Sequence, residues 1–418
     1  MIDRRTGSRP DLTADADVIV VGGGPAGSSL AGLLALEGID VVVLDRAEFP
    51  RTKPCGECIN PGGVSALTRL GLLDVVKKCH PVRLAGWDLL TDSGARASGR
   101  FAGGTEHGMG VSRAALDHAL LQAARDRGAR VYERTKLVGL SVSPARAASH
   151  RTVVEAVDRD GRRTVWTTRL IVGADGLRSI VARLLGLVRR QPRLRKVSLT
   201  CRLRGTGPSR DGGALFFAQS GTVGLAPVHA DEPLWNGTVV VLARRYGREL
   251  ASDPVGFFRH AFARAPFEWD ARPDIVSGPW ASGPFDWPTR CAIADGALLV
   301  GDASGYFDPL TGQGLYRAFR SAELATPIIM RAVRSTRNRA ADLREYDRRL
   351  RSMLRQPRAL QRIIDVAVSR PTLRHLAVTG LRVAKPFADR FVRVVGDAMP
   401  VPALLMPETA CTLLRVTR

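Results

Sequence analysis

A short β-branched run, Val18-Ile19-Val20-Val21, passes directly into Gly22-Gly23-Gly24-Pro25-Ala26-Gly27, and this junction constrains the fold more than any other feature of the chain. The run reads as a buried parallel strand. A helix is expected from about Ser28 to Glu37 with Gly38 as its C-cap, followed by a second strand, Val41 to Leu44, that ends at Asp45. Strand, glycine turn, helix, strand and acid in this order make a βαβ unit suited to a dinucleotide. Gly22 allows the tight turn, Gly24 lets a pyrophosphate approach the backbone, and Gly27 permits close helix-to-strand packing. The helix N-terminus that follows adds free N–H groups and positive potential, and Ala26 of the glycine turn is a candidate cofactor contact. Asp45 would accept hydrogen bonds from the adenosine ribose.

Other segments repeat or interrupt this pattern. Arg113 opens a strongly helical stretch behind Ser112 as N-cap, and Leu170 to Val172 and Ala297 to Val300 return to the buried-strand pattern. Alternating segments at Leu84 to Leu90, Val197 to Arg204, Ala214 to Ala218, Val223 to Val228 and Thr238 to Ala243 read as an antiparallel sheet inserted between the Rossmann pieces. From about Asp342 the chain is helical and arginine-rich, with breaks expected at Pro357, Pro371 and Pro386 before an apolar, proline-containing tail. The expected fold class is α/β. A discontinuous Rossmann-like nucleotide domain (15–80, 105–185, 285–340) carries an inserted antiparallel substrate sheet (81–104, 190–284) and a helical C-terminal cap (341–418).

Two further motifs follow the later strands. One is Gly173-Ala174-Asp175-Gly176, with Arg178 and Arg183 behind it; the other is Gly301-Asp302-Ala303, followed by Phe307-Asp308-Pro309-Leu310-Thr311-Gly312-Gln313-Gly314-Leu315. With this ordered triple, roughly residues 15 to 330 resemble the large FAD-dependent flavoprotein family of GR2 type. That family includes single-component aromatic hydroxylases, geranylgeranyl reductases and flavin-dependent halogenases. The resemblance implies FAD in extended form across the nucleotide domain, with NAD(P)H as a transient electron donor, since there is no second GxGxxG. It implies that Asp302 bonds the ribityl chain, that Arg113 lies along the ribityl and pyrophosphate groups, and that Asp175 sits near the pyrophosphate. Those roles fit an acceptor for hydroxyls and a donor for phosphate oxygens. Gly312, Gly314 and Leu315 would start a helix aimed at the pyrimidine edge of the flavin, where its positive end favours negative charge on the reduced ring. Arg46, Pro54, Gly56 and Leu137 complete the cofactor contacts that the resemblance implies.

The stretch Pro50-Arg51-Thr52-Lys53-Pro54-Cys55-Gly56-Glu57-Cys58 narrows the likeness to the geranylgeranyl reductase branch, where such a loop runs beside the flavin. Cys55 and Pro309 are accordingly the flavin-proximal candidates for the catalytic region, and Cys55 is read equally well as a small packing residue. The substrate layer departs from that branch. Where archaeal geranylgeranyl reductases show YxWxFP, this chain has Thr222-Val223-Gly224-Leu225-Ala226-Pro227. The WxWxIP and early-strand lysine of halogenases are also missing; the strand after Pro81 offers Arg83, and Lys77 and Lys78 read as a solvated helix face. Cys55, Phe216, Phe217, Leu225, Pro227, Pro309 and Leu310 are the candidate walls of a hydrophobic cavity.

Charge and cysteine content bound the remaining classes. Lys+Arg 62 against Asp+Glu 40 gives a net charge of +22, yet only 6 of the 62 basic residues are lysine. Such arginine bias reads as composition, and no helix-turn-helix, RNP or zinc-finger spacing points to nucleic acid. The 6 cysteines form no metal-binding array, and Cys55 and Cys58 alone make a weak zinc signal. A disulfide-reductase reading of that CxxC lacks the wider cysteine spacing and second nucleotide fold. No apolar stretch approaches membrane-span length, so a cytoplasmic protein is expected, with peripheral membrane attachment as the alternative. Arg344, Arg348, Arg351, Arg355, Arg358 and Arg362 recur at helical spacing. That face is solvated, or it docks an acidic acyl carrier protein or an anionic membrane.

The leading expectation is an FAD-dependent monooxygenase that hydroxylates or epoxidises a hydrophobic, secondary-metabolite-like substrate, because the aromatic motif of the reductases is missing. Reduction of carbon–carbon double bonds is the alternative, because the CGE loop is present. Halogenation and a non-catalytic flavin-binding docking protein are minor readings.

Overall fold

The computed structural model describes residues 12–142, 151–190, 196–334 and 339–405. The apolar C-terminal tail beyond 405, including Cys411, lies outside the described residues.

The nucleotide layer is an eight-stranded sheet whose core is parallel, because those strands are apolar on both faces, while Lys136–Val142, Thr152–Val157 and Ile293–Ala294 pair antiparallel. Leu12–Val21 is central, with Arg163–Gly173 on one side and Val41–Leu44 then Arg130–Tyr132 on the other, all parallel. Val18 pairs with Val41 and Leu170, and Val21 pairs with Leu44 and Gly173. The three strands that carry glycine motifs therefore end at one edge. Ala297–Leu299 extends the sheet beyond Arg163–Gly173. Val18, Ile19 and Val20 are fully buried, and each such side chain contributes about 1.5–3 kcal/mol relative to exposure. The first helix spans Pro25–Leu36 and begins earlier than the sequence suggests, because proline is favourable in the first turn.

A seven-stranded sheet forms the second layer, in the order Asp274–Ser282, Lys196–Arg204, Leu234–Leu242, Gly221–Pro227, Gly212–Ala218, Gly86–Thr91, Arg96–Arg100. Its pairings are antiparallel except between Gly212–Ala218 and Gly86–Thr91. At that parallel junction two separate excursions of the chain meet, as a parallel pair without its own hairpin requires.

Three C-terminal helices, Arg339–Ser369, Pro371–Val383 and Lys385–Val395, close the molecule. Pro371 and Pro386 begin helices, but the expected break at Pro357 does not occur: Pro357 lies inside the 31-residue helix. The loss of one backbone donor is absorbed there within a long helix packed on Gly314–Arg334. Among the described residues no helix is long and apolar enough to cross a membrane.

Candidate active site

The glycine turn is shaped by steric necessity. A Cβ on Gly27 would stand 1.9 Å from the Gly22 carbonyl oxygen, and one on Gly22, where φ is +108°, would stand 2.5 Å from that of Ala174. Gly24 caps the Pro25–Leu36 helix without a side chain, so the N–H groups of the first turn are left for a ligand. Asp45 is buried and braces this turn: Oδ2 accepts from Gly23 N–H at 2.7 Å and Oδ1 from Ala47 N–H at 2.8 Å.

A cavity of about 680 Å³ opens beside this turn. Its inner end is walled by Gly24, Ala26, Arg113, Gly176, Asp302 and Gly314, the meeting point of four segments far apart in sequence. Pro54, Cys55, Gly56, Pro309, Gly312 and Leu315 also face it. Gly22, Gly27, Asp45 and Asp175 stand behind it as supports. Arg46 is exposed, and Leu137 lies in the nucleotide-layer core; neither borders the cavity.

Charges at the inner end are held in position by buried partners. The Arg113 guanidinium grips the fully buried Asp117 through Nε–Oδ1 at 2.7 Å and Nη2–Oδ2 at 2.8 Å. It is thus a buried ion pair. Arg51 reaches the same carboxylate at 3.3 Å and stacks on Phe49, 4.6 Å from its ring centre. Asp175 accepts from Ile180 N–H at 2.5 Å through Oδ2, while its buried Oδ1 has no partner among the described residues. Burial pushes the Asp175 carboxyl above its ordinary value. Asp302 occupies the short turn Gly301–Ser304, and among the described residues its carboxylate has no hydrogen-bond donor. Gly312, at φ +64°, leads into the helix Gly314–Arg334.

This arrangement fits FAD. The glycine turn leaves a cradle that any side chain would fill, the helix N-terminus and Arg113 can meet phosphate oxygens, and Asp302 is an unoccupied acceptor for hydroxyls.

Several residues with a part in the site had no role assigned from sequence. Glu57, at φ +55°, fastens the CGE loop to the rest of the molecule. Its carboxylate accepts from Arg113 N–H at 2.7 Å and Asn236 Nδ2 at 2.9 Å, and pairs with Arg202 at 2.5 Å. Asn236 also donates to the Cys55 carbonyl at 2.8 Å. A buried asparagine between Trp235 and a valine-rich run was the available signal. Lys53 stands beside Gly176, and burial followed by the Arg113 charge lowers its pKa. Tyr306 lines the cavity, and its phenol is pushed well above its ordinary value by burial, then by Asp302 and Asp308.

Cys55 and Cys58 are both free thiols. The Cys58 thiol donates to the Gly56 carbonyl, and burial drives its pKa upward, so it is held protonated. Among the described residues no cluster of His, Cys, Asp or Glu could hold a metal ion.

The outer cavity runs between the seven-stranded sheet and the C-terminal helices. Phe217 and Leu225 face it, but Phe216 and Pro227 do not. Strand alternation sends Phe216 to the opposite face, against Phe257 and Phe258. The far wall comes from Leu360, Ile364, Val378, Leu381 and Phe391 of the cap. Lys196 locks sheet to cap, bonding Asp308 at 2.7 Å and Asp365 at 2.6 Å. The basic helix face is less uniform than its spacing suggests: Arg351 pairs with Asp347, and Arg358 is half-buried, its pKa lowered to about 10 by burial and by Arg317.

Comparison with known proteins agrees with this geometry. The model of a family described as FAD binding domain matches residues 15–230. A menaquinone reductase of Mycolicibacterium smegmatis is 30% identical over 411 residues, covering 92% of this chain and 96% of its own. A digeranylgeranylglycerophospholipid reductase of Methanothrix thermoacetophila is 28% identical, covering 81% and 83% respectively. Among solved structures, the flavin-dependent halogenase CmlS superposes with a TM-score of 0.70 at 25% identity, over 83% of this chain and 63% of its own. This chain belongs to the FAD binding domain family of FAD-dependent oxidoreductases.

Proposed function

We propose that this protein reduces a carbon–carbon double bond in the prenyl chain of a lipid, with bound FAD re-reduced by a nicotinamide donor. The observation that carries this reading is a continuous, mostly apolar cavity running from the cofactor loops to the cap helices. Such a passage suits a long hydrocarbon chain better than a compact metabolite. Two relatives named as reductases of prenyl-bearing lipids support it.

FAD, when bound, supplies the reducing equivalents. The chain's own residues hold and enclose the reactants. Arg113 and the start of the Pro25–Leu36 helix would hold the cofactor's phosphates, Asp302 would accept from a hydroxyl, and the start of Gly314–Arg334 would offer positive potential to a reduced flavin. Phe217, Leu225 and the cap residues exclude water from the chain. Saturating the second carbon requires a proton, and the protonated Tyr306 phenol and the Cys55 thiol, both on the cavity wall, are the candidate donors.

Oxygen insertion into the same bound chain is the second reading, favoured by the strand Gly221–Pro227, which lacks the reductase aromatic motif. Product mass separates the two. FAD-loaded protein supplied with NADPH and a long-chain prenyl quinone is expected to yield a product that, after reoxidation of any quinol to the quinone, is still heavier by two hydrogen atoms, both on the prenyl chain. Tyr306→Phe should slow turnover roughly a hundredfold or more while FAD content is unchanged, the scale expected for a lost proton donor. A product heavier by one oxygen atom would overturn the proposal in favour of the second reading.

A further inference from the structure

The cavity has a mouth, and its surroundings are unusual for a water-facing surface. Ile363 lines the cavity and is 66% exposed; Ala377 likewise lines it and is exposed. The opening therefore lies where Arg339–Ser369 and Pro371–Val383 converge, with Leu404 of the following turn also on the wall.

Around this opening the aliphatic residues point outward. The helix Pro371–Val383 buries Arg374, Val378 and Leu381 against the body and exposes a stripe containing Leu373, Leu376 and Val383. Leu376 is 60% exposed, and Leu405, beside Leu404, is 86% exposed. A surface helix normally places polar residues on its outer stripe, and a contiguous apolar patch marks an interaction site.

The rim is cationic. Arg355, Arg362, Arg370 and Arg382 are exposed and have no carboxylate partner among the described residues. Nearby acids are engaged: Asp365 bonds Lys196, and Asp389 pairs with Lys385. Aliphatic side chains ringed by arginines match an anionic bilayer surface, with the apolar tips in the acyl boundary and guanidinium groups at the headgroups. An acidic protein partner would satisfy the arginines but leave six exposed aliphatic residues to cover.

We propose that this cap face docks peripherally on an anionic membrane, so that a lipid chain passes from the bilayer through the mouth into the cavity without crossing water. Docking itself stands on the surface alone; only the identity of the lipid rests on the function proposed above.

The test is flotation of FAD-loaded protein with vesicles of phosphatidylglycerol and phosphatidylcholine, free of prenyl lipid, at low ionic strength. Wild type should float with them and partition more weakly onto pure phosphatidylcholine. Leu376→Glu/Val383→Glu, outside the cavity wall, should weaken partitioning by about tenfold or more, one decade being about 1.4 kcal/mol. Retained FAD and an unchanged melting temperature would show that this variant is folded. Arg362→Glu/Arg370→Glu/Arg382→Glu should abolish the preference for anionic vesicles. No flotation, equal flotation of all variants, or binding to an acidic acyl carrier protein in place of vesicles would overturn the proposal. Detergent-solubilised prenyl quinone turned over by a protein that does not float would refute docking and leave the reductase reading intact. Flotation without such turnover would do the reverse.

Discussion

At the residue scale, the site separates side chains that hold a ligand from those that hold other side chains. Asp302 has no hydrogen-bond donor among the described residues and is half-buried, whereas Arg113 neutralises the fully buried Asp117. Their alanine variants should therefore differ. Asp302→Ala should lose FAD during purification and keep the melting temperature of the cofactor-free wild type. Arg113→Ala should lose FAD and also destabilise the fold by up to about 3–5 kcal/mol, because it strands a buried charge that Arg51 only partly covers. Flavin absorbance after gel filtration and denaturant unfolding check both; full FAD retention by both variants would contradict the site as described. Both residues were legible from sequence because their motifs are local. Glu57 was not, since its partners Arg202 and Asn236 lie on distant strands, and only the tertiary structure shows that the CGE loop is pinned to the substrate sheet.

At the element scale, the cap is fitted to the sheet edge and latched to the cofactor side. A Cβ on Gly99 would come within 2.4 Å of Val392 Cγ1 and 2.7 Å of the Ala388 carbonyl oxygen. Gly99→Ala should thus destabilise the docking of Lys385–Val395 by about 1–3 kcal/mol, read as faster proteolysis of the cap. The latch is Asp397, which accepts from Asn60 Nδ2 at 2.8 Å and Gln313 Nε2 at 3.0 Å. Burial raises its pKa to about 7. The folded protein then binds this proton more tightly than the unfolded chain, so its contribution is full below the ordinary carboxylate pKa and is lost as pH rises toward 7. The stability advantage of wild type over Asp397→Asn should fall between about pH 4 and pH 7; an advantage constant across that window would refute the latch. Element identity was largely readable from periodicity, but Pro357 was not, because packing over a 31-residue helix outweighs a local preference.

At the scale of the whole molecule, the nucleotide layer was readable because each glycine motif must follow a buried strand, and those strands align at one edge. The cavity was only half readable. Phe217, Leu225, Pro309 and Leu310 were named from sequence, but the cap residues that complete the wall look like ordinary helix core in a linear reading. Phe216 was assigned to the wrong side because the face of a strand is fixed by register, which its own sequence does not state. The completed passage is the feature on which the proposed reduction of a chain-like substrate rests.

That claim is tested most directly without oxygen. FAD-loaded protein is bleached by NADPH in a stopped-flow spectrometer, freed of excess donor, and mixed anaerobically with a long-chain prenyl quinone and, separately, with buffer. Return of the yellow absorbance with the quinone and not with buffer, accompanied by a product with one fewer chain double bond, is the predicted result. Absorbance that returns only when oxygen is admitted, with the prenyl chain unreduced, would contradict it.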